Sequence, residues 1–402
     1  MRVLEGSRWR RTATVLGALA VGGGVLTTAA WVGCSIYDPS LLLPAANEAG
    51  GADGVAETAV EAGVDAPDLC PELYPPAKPT ADDPSDAGDQ TFVVALHTLD
   101  LGLGLEGGSP PPIGYDLDHV FTCCEAGPES CKAAKTGATH CDEPEGRDNS
   151  GEQLLASLAA LPSSPFNAST INQRLQQGVY SIILQIAHYN GQPNDTQVTA
   201  ALYGSLGIQA VGDAAPPLAA WDGGDVWTLD SNFVVQADAS PVLPTHFDST
   251  AYVTNGTLVM HVNFPISLGT SSTGSLAISL TAGVITGTIQ PVGGTYRIGD
   301  GIIAGRWNVS DLLDSIQYLS FSGTEICRGY SNYTFIKSLI CQYADIMTDP
   351  TLDKTGTTCD ALSIGMAFTT DPANMGSALE PPAKVSGCDA GPDAGPDDCT
   401  QP

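Results

Sequence analysis

Four cysteines, Cys123, Cys124, Cys131 and Cys141, fall within nineteen residues of one another, with His119 and His140 beside them. Thiolates and imidazoles are zinc ligands, but adjacent Cys123 and Cys124 lack the two-residue spacing that lets both face one ion. In an exported chain two local disulfides are expected instead, and the two histidines then read as solvated loop residues. The same segment is dense in oxygen ligands. Asp116 and Asp118 precede the cysteines, and Asp142, Glu143, Glu145, Asp148, Asn149 and Glu152 follow them. From Asp116 to Glu152 nine acids stand against three bases, so 3 − 9 = −6. Disulfides would crowd these carboxylates together, and the natural neutraliser is Ca²⁺, a hard cation that takes roughly six to eight oxygens in flexible geometry. Asp116, Asp118, Asp148 and Asn149 are the expected ligands, because short side chains hold their oxygens close to the backbone. Neither acidic cluster spells an EF-hand, and a solvated acidic loop is the competing reading.

A second candidate is Trp221-Asp222-Gly223-Gly224-Asp225-Val226-Trp227. Trp221 and Trp227 offer faces for a sugar ring, and Asp222 and Asp225 offer acceptors for its hydroxyls. The alternative is a core Trp beside an ordinary Asp-Gly-Gly-Asp turn. Gly102-Leu103-Gly104-Leu105-Glu106-Gly107 spells a dinucleotide fingerprint, but Gly108-Ser109-Pro110-Pro111-Pro112 follows where a helix must begin, so no nucleotide cofactor is expected. There is no Gly-x-Ser-x-Gly elbow, no His-Glu-x-x-His and no phosphate loop. No catalytic residue is therefore assigned, although paired carboxylates of a glycan hydrolase would be invisible in sequence.

The chain begins with Arg2, Arg8, Arg10 and Arg11 and then runs apolar from Ala13 to Val32, the order of a secretory signal over residues 1–33. Trp31-Val32-Gly33-Cys34 resembles a lipobox, with Cys34 as the lipidated mature N-terminus. Eleven cysteines less Cys34 leave ten, an even number suited to disulfides: Cys70, Cys123, Cys124, Cys131, Cys141, Cys327, Cys341, Cys359, Cys388 and Cys399. Net charge is −30, and it becomes 11 − 44 = −33 once four bases and one acid leave with the signal. Such a surface excludes a nucleic-acid partner, which needs a basic footprint, and leaves a lipid anchor as the contact with a membrane. The mature start Cys34-Ser35-Ile36-Tyr37-Asp38-Pro39-Ser40-Leu41, the segment Ile113-Gly114-Tyr115-Asp116-Leu117-Asp118 and the Asp-Ala-Gly-Pro repeats resemble uncharacterised acidic lipoproteins of myxobacteria. That resemblance implies an outer-membrane or cell-surface address, with periplasmic or secreted forms as the alternative, and brings no activity with it.

The elements that must carry these residues are mostly strands. Residues 34–90 hold an acidic, Ala-, Gly- and Pro-rich stretch, read as a disordered linker, and residues 379–402 form an acidic tail in which Cys388 and Cys399 bracket a repeat. Between them, residues 91–378 alternate at 91–101, 181–187, 195–203, 226–235 and 363–369. Asn255-Gly256 marks a hairpin, and 275–289 is expected to hold two short strands. Helices are expected at 151–161, 168–177, 311–319 and from Ser331 or Asn332 to about 347. The class is mainly β: an antiparallel β-sandwich, jelly-roll-like, with helical insertions and a Cys-rich loop at 113–152. The expected function is a lipid-anchored extracytoplasmic binding module for a glycan or envelope ligand, with Ca²⁺ as its cofactor. A secreted glycan hydrolase and a structural envelope protein are the alternatives.

Overall fold

The computed structural model describes residues 70–85, 88–103, 112–124, 129–135, 140–161, 168–212, 214–236, 242–270, 274–321, 324–383, 388 and 396–400. The expected signal segment 1–33, Cys34 and most of the expected linker lie outside the described residues.

Asn255 and Gly256 both adopt positive φ, as a type I′ turn requires. They join β5 (His246–Thr254) to β6 (Thr257–Thr270). The next two strands are long: β7 (Gly274–Val292) and β8 (Thr295–Asn308). With β1 (Gln90–Asp100), β2 (Ser181–Tyr189), β3 (Asp195–Ile208) and β11 (Ala361–Pro372), they form one antiparallel sheet in the order β3-β2-β1-β11-β8-β7-β6-β5. The sheet closes on itself, because β5 also pairs with β3 through Val198↔Ala251 and Ala201↔Phe247. The expected sandwich is thus replaced by an eight-stranded antiparallel barrel. Residue alternation is the same in both architectures. What decides between them is the β3–β5 pairing, which joins segments some fifty residues apart and leaves these strands without free edges. The far half of β3 pairs instead with β4 (Val226–Asp230), to which β12 (Asn374–Leu379) adds in parallel. A two-stranded ribbon of β9 (Ser320–Phe321) and β10 (Thr324–Glu325) stands apart from the barrel sheet.

β7 is one bulged strand where two were expected, and its bulge opposite Val262 and Phe264 lets it coil around the barrel. β8 was not among the expected strands. Gly301 is required by packing: a Cβ there would lie 2.4 Å from the Phe368 ring. Among the described residues four α-helices join the main core. α1 (Ser150–Ala159) packs on β11, α2 (Ala168–Gln176) on β1, α3 (Val309–Ser315) on β7, and α4 (Ser331–Tyr343) on α1 and α3.

Neither terminal stretch is wholly free of the barrel. From Cys70 the chain lies against it. Asp116 donates its N–H to Leu73, Tyr252 donates to the Pro76 carbonyl, and Thr196 donates its N–H to Asp82. At the other end, Cys388 and Cys399 do not bond each other but join Cys327 and Cys341, stapling the tail to the region of α4. Asp397 there accepts from Lys337 at 2.8 Å and from Tyr333 at 2.6 Å.

A candidate metal centre on the outer face of the barrel

Strand alternation sets up the site. Along β6, Leu258 and Met260 join the main core, while Val259 between them joins Tyr115, Val284 and Ala304 in a small cluster on the other face. The Cys-rich loop therefore packs on the outside of the barrel. Tyr115 is anchored there by a 2.8 Å hydrogen bond to Thr286. Two residues beyond Ala304 on the same face, Arg306 is 1 % exposed. Its guanidinium pairs with both oxygens of Asp353, at 2.9 and 2.6 Å, and donates to the Leu117 carbonyl at 2.6 Å. This buried bidentate pair fixes the loop between the two aspartates on either side of Leu117.

Five disulfides frame this region and the tail: Cys70–Cys124, Cys123–Cys141, Cys131–Cys359, Cys327–Cys388 and Cys341–Cys399. Only Cys123–Cys141 is local to the loop, where two such bridges were expected. Adjacent Cys123 and Cys124 diverge to different partners, and Cys131 crosses to Cys359, two residues before β11. The loop is thus bolted to the linker on one side and to the barrel on the other. His140 is not solvated, because its Nε2 lies 2.5 Å from the Gln342 carbonyl.

Asp116, Asp118 and Asp148 come together inside this frame. All three are buried, and each contributes an oxygen within 4.8 Å of the others. Two oxygens on one Ca²⁺ can stand up to about 5 Å apart, twice the Ca–O distance, so a single ion can reach all three. The backbone orients each carboxylate through one oxygen. Asp116 Oδ1 accepts from the His119 N–H at 2.6 Å, Asp118 Oδ1 from Val120 at 2.8 Å, and Asp148 Oδ2 from Leu117 at 2.6 Å. The second oxygen of Asp116, Oδ2, is buried with no hydrogen bond of ordinary geometry, and the Tyr74 hydroxyl stands between Asp116 and Glu72, donating to Glu72 and interacting with Asp116. A buried carboxylate oxygen without a well-aligned donor is costly unless something positive faces it.

Asn149, the fourth expected ligand, is buried beside them. Its Oδ1 accepts from the Gly365 N–H at 2.8 Å and its Nδ2 donates to Glu152 at 3.0 Å, so its amide ties α1 to β11. Sequence reasoning missed Asp345, which lies just past α4. Asp345 accepts from Ser150 at 2.7 Å and from Ser363 at 2.5 Å, and it repels Asp118, Asp142 and Asp148. No spacing in the chain announces it, because the fold alone brings α4 beside the loop.

Burial, followed by repulsion among these aspartates, pushes the Asp118 carboxyl up to about 7 and that of Asp142 up to about 8, and raises Asp148 well above the usual range. Without a cation the centre therefore retains protons near neutrality.

Known proteins offer no guide to what this centre does. No family model, curated protein or solved structure matches the chain.

The other expected site is arranged differently. Trp227 is fully buried in β4, and Trp221 stacks on His97 at 4.1 Å and 11° while its Nε1 donates to the Gln176 carbonyl. Asp225 accepts from the Ala220 and Trp221 N–H groups, and Asp222 from Gly224, so both carboxylates close the turn they sit in. A contacting carboxyl pair, Glu143 and Glu152, sits at the edge of the metal centre. Burial, followed by repulsion from Glu143, pushes Glu152 up to about 8.

Proposed function

We propose that this chain is an extracytoplasmic binding module, anchored through lipid on Cys34, in which the outer-face centre holds Ca²⁺. The observation that carries the reading is the convergence of Asp116, Asp118 and Asp148, all buried, each oriented by a backbone N–H and with oxygens within 4.8 Å of one another. An all-oxygen donor set with no thiolate or free imidazole suits a hard cation. The ion's role is to fix the Cys-rich loop on β8 and β11 and so set the shape of that face. Five disulfides agree with an oxidising, extracytoplasmic compartment. The lipobox-like residues before Cys34 and the resemblance of the mature start to acidic lipoproteins support the anchor.

Calorimetric titration of chelator-stripped protein with Ca²⁺ tests the centre. Saturable binding that is lost in Asp118→Asn is expected, and no heat beyond dilution would overturn the reading. The anchor is tested separately, because Cys34→Ser should move the protein from the membrane fraction to the soluble one.

A further inference from the structure

Leu73 spans the same two stretches of chain that the ion would gather. Its carbonyl accepts the Asp116 N–H at 2.9 Å, and its N–H donates to the Glu145 carbonyl at 2.8 Å, three residues before Asp148. Its side chain packs on the outer-face cluster of Tyr115, Val259, Val284 and Ala304. The next linker residue, Tyr74, reaches Asp116 in two ways. Its hydroxyl interacts with the Asp116 carboxylate, and its ring lies 4.9 Å from that of His119, whose N–H orients the same carboxylate. The linker is held on either side of these residues by the Cys70–Cys124 bridge and by the Tyr252 hydroxyl, which donates to the Pro76 carbonyl at 2.7 Å.

Some of these ties are permanent and others break easily. Cys70–Cys124 and Cys131–Cys359 join linker, loop and barrel segment covalently, but a bridge at each end does not seat the residues between. Residues 71–76 are seated by a few hydrogen bonds that compete with water, one partly buried leucine and one part-exposed tyrosine. A segment held so lightly opens locally well before a barrel unfolds. Once it opens, Asp116 loses the acceptor of its N–H and the contact with Tyr74, and the Leu73 link between the two sides of the loop is gone. An ion that needs the three aspartates gathered therefore binds the seated form better, and that preference shifts the population towards it.

We propose that the cation centre clamps the linker: with Ca²⁺ on Asp116, Asp118 and Asp148, residues 71–76 stay seated on the loop, and without it they lift away while Cys70–Cys124 keeps them attached. The clamp rests on the Ca²⁺ reading above, and calorimetry on the same sample separates the two. Hydrogen exchange of the intact, oxidised chain, read by mass spectrometry, should show the Leu73 and Asp116 amides exchanging roughly tenfold or more faster in chelator than in Ca²⁺, with the β6 amides unchanged. Leu73→Ala keeps all three aspartates, yet should weaken Ca²⁺ binding roughly fivefold or more, because linkage is reciprocal. Saturable heat with Leu73 exchange indifferent to Ca²⁺ would overturn the clamp and leave the cation centre standing. No heat would overturn both. Exchange that quickens equally in β6 would be general loosening and would overturn the clamp, as would unchanged affinity in Leu73→Ala.

Discussion

The Asp148 carboxylate accepts the backbone N–H of Leu117 at 2.6 Å, in the gap between Asp116 and Asp118. One hydrogen bond thereby gathers three acids from two ends of a loop that carries net −6. Asp148→Asn retains an acceptor for Leu117 but removes a charge. The variant should fold, keep its disulfides and lose Ca²⁺ affinity by roughly tenfold or more. Calorimetry on the refolded variant checks this, and unchanged affinity would take Asp148 out of the centre.

The pH dependence of stability should itself depend on the ion. In chelator-treated protein the Asp118 and Asp142 carboxyls stand at about 7 and about 8, raised first by burial and then by neighbouring aspartates. Unfolded aspartates release their protons near pH 4, so between these values the folded state binds more protons and stability falls as pH rises. Ca²⁺ replaces those protons. Its stabilising effect should therefore be small at pH 5 and larger at pH 8, as read from urea midpoints with and without Ca²⁺. An equal effect at both values would show that the ion acts elsewhere.

Gly365 is the point where the loop touches the barrel. A Cβ there would meet the Ile113 carbonyl oxygen at 2.4 Å and the Gly114 Cα at 3.0 Å, both of them backbone. Gly365→Ala must push the loop off β11, so a loss of about 1–3 kcal/mol is expected, together with weaker Ca²⁺ binding. Denaturant melts and calorimetry on one sample measure both. A stable variant with normal binding would mean that the loop position does not matter to the centre.

Ten cysteines pair, so alkylation under denaturing, non-reducing conditions should label none of them. Peptide mapping should link Cys131 to Cys359 across 228 residues. Replacing both with alanine should cost about 2–5 kcal/mol, because this is the one disulfide that ties the loop to the segment leading into β11.

Part of the candidate site was legible in the chain. Asp116, Asp118, Asp148 and Asn149 stood out because acids of short reach flanked a cysteine cluster, and the fold brings all four into one buried region. Asp345 and the Ser363 that orients it were illegible, since their closeness comes from α4 and β11 meeting the loop. The hairpin at Asn255-Gly256 was readable from its turn chemistry. Barrel closure was not, because it depends on β3 pairing with β5 and on β8, a glycine-rich strand in which Gly301 makes room for the Phe368 ring. Disulfide partners were likewise hidden: proximity in sequence suggested a closed tail loop between Cys388 and Cys399, whereas each is drawn to the region of α4.

Thermal melting of the intact, oxidised chain at constant ionic strength, with Ca²⁺ and then with excess chelator, tests the cation centre most directly. An ion at a hundredfold its dissociation constant adds about 2.7 kcal/mol, worth roughly 4 °C in a domain of this size. The account predicts a fall of that order on chelation, restored by Ca²⁺ and absent in Asp148→Asn. A melting temperature indifferent to chelator would contradict it.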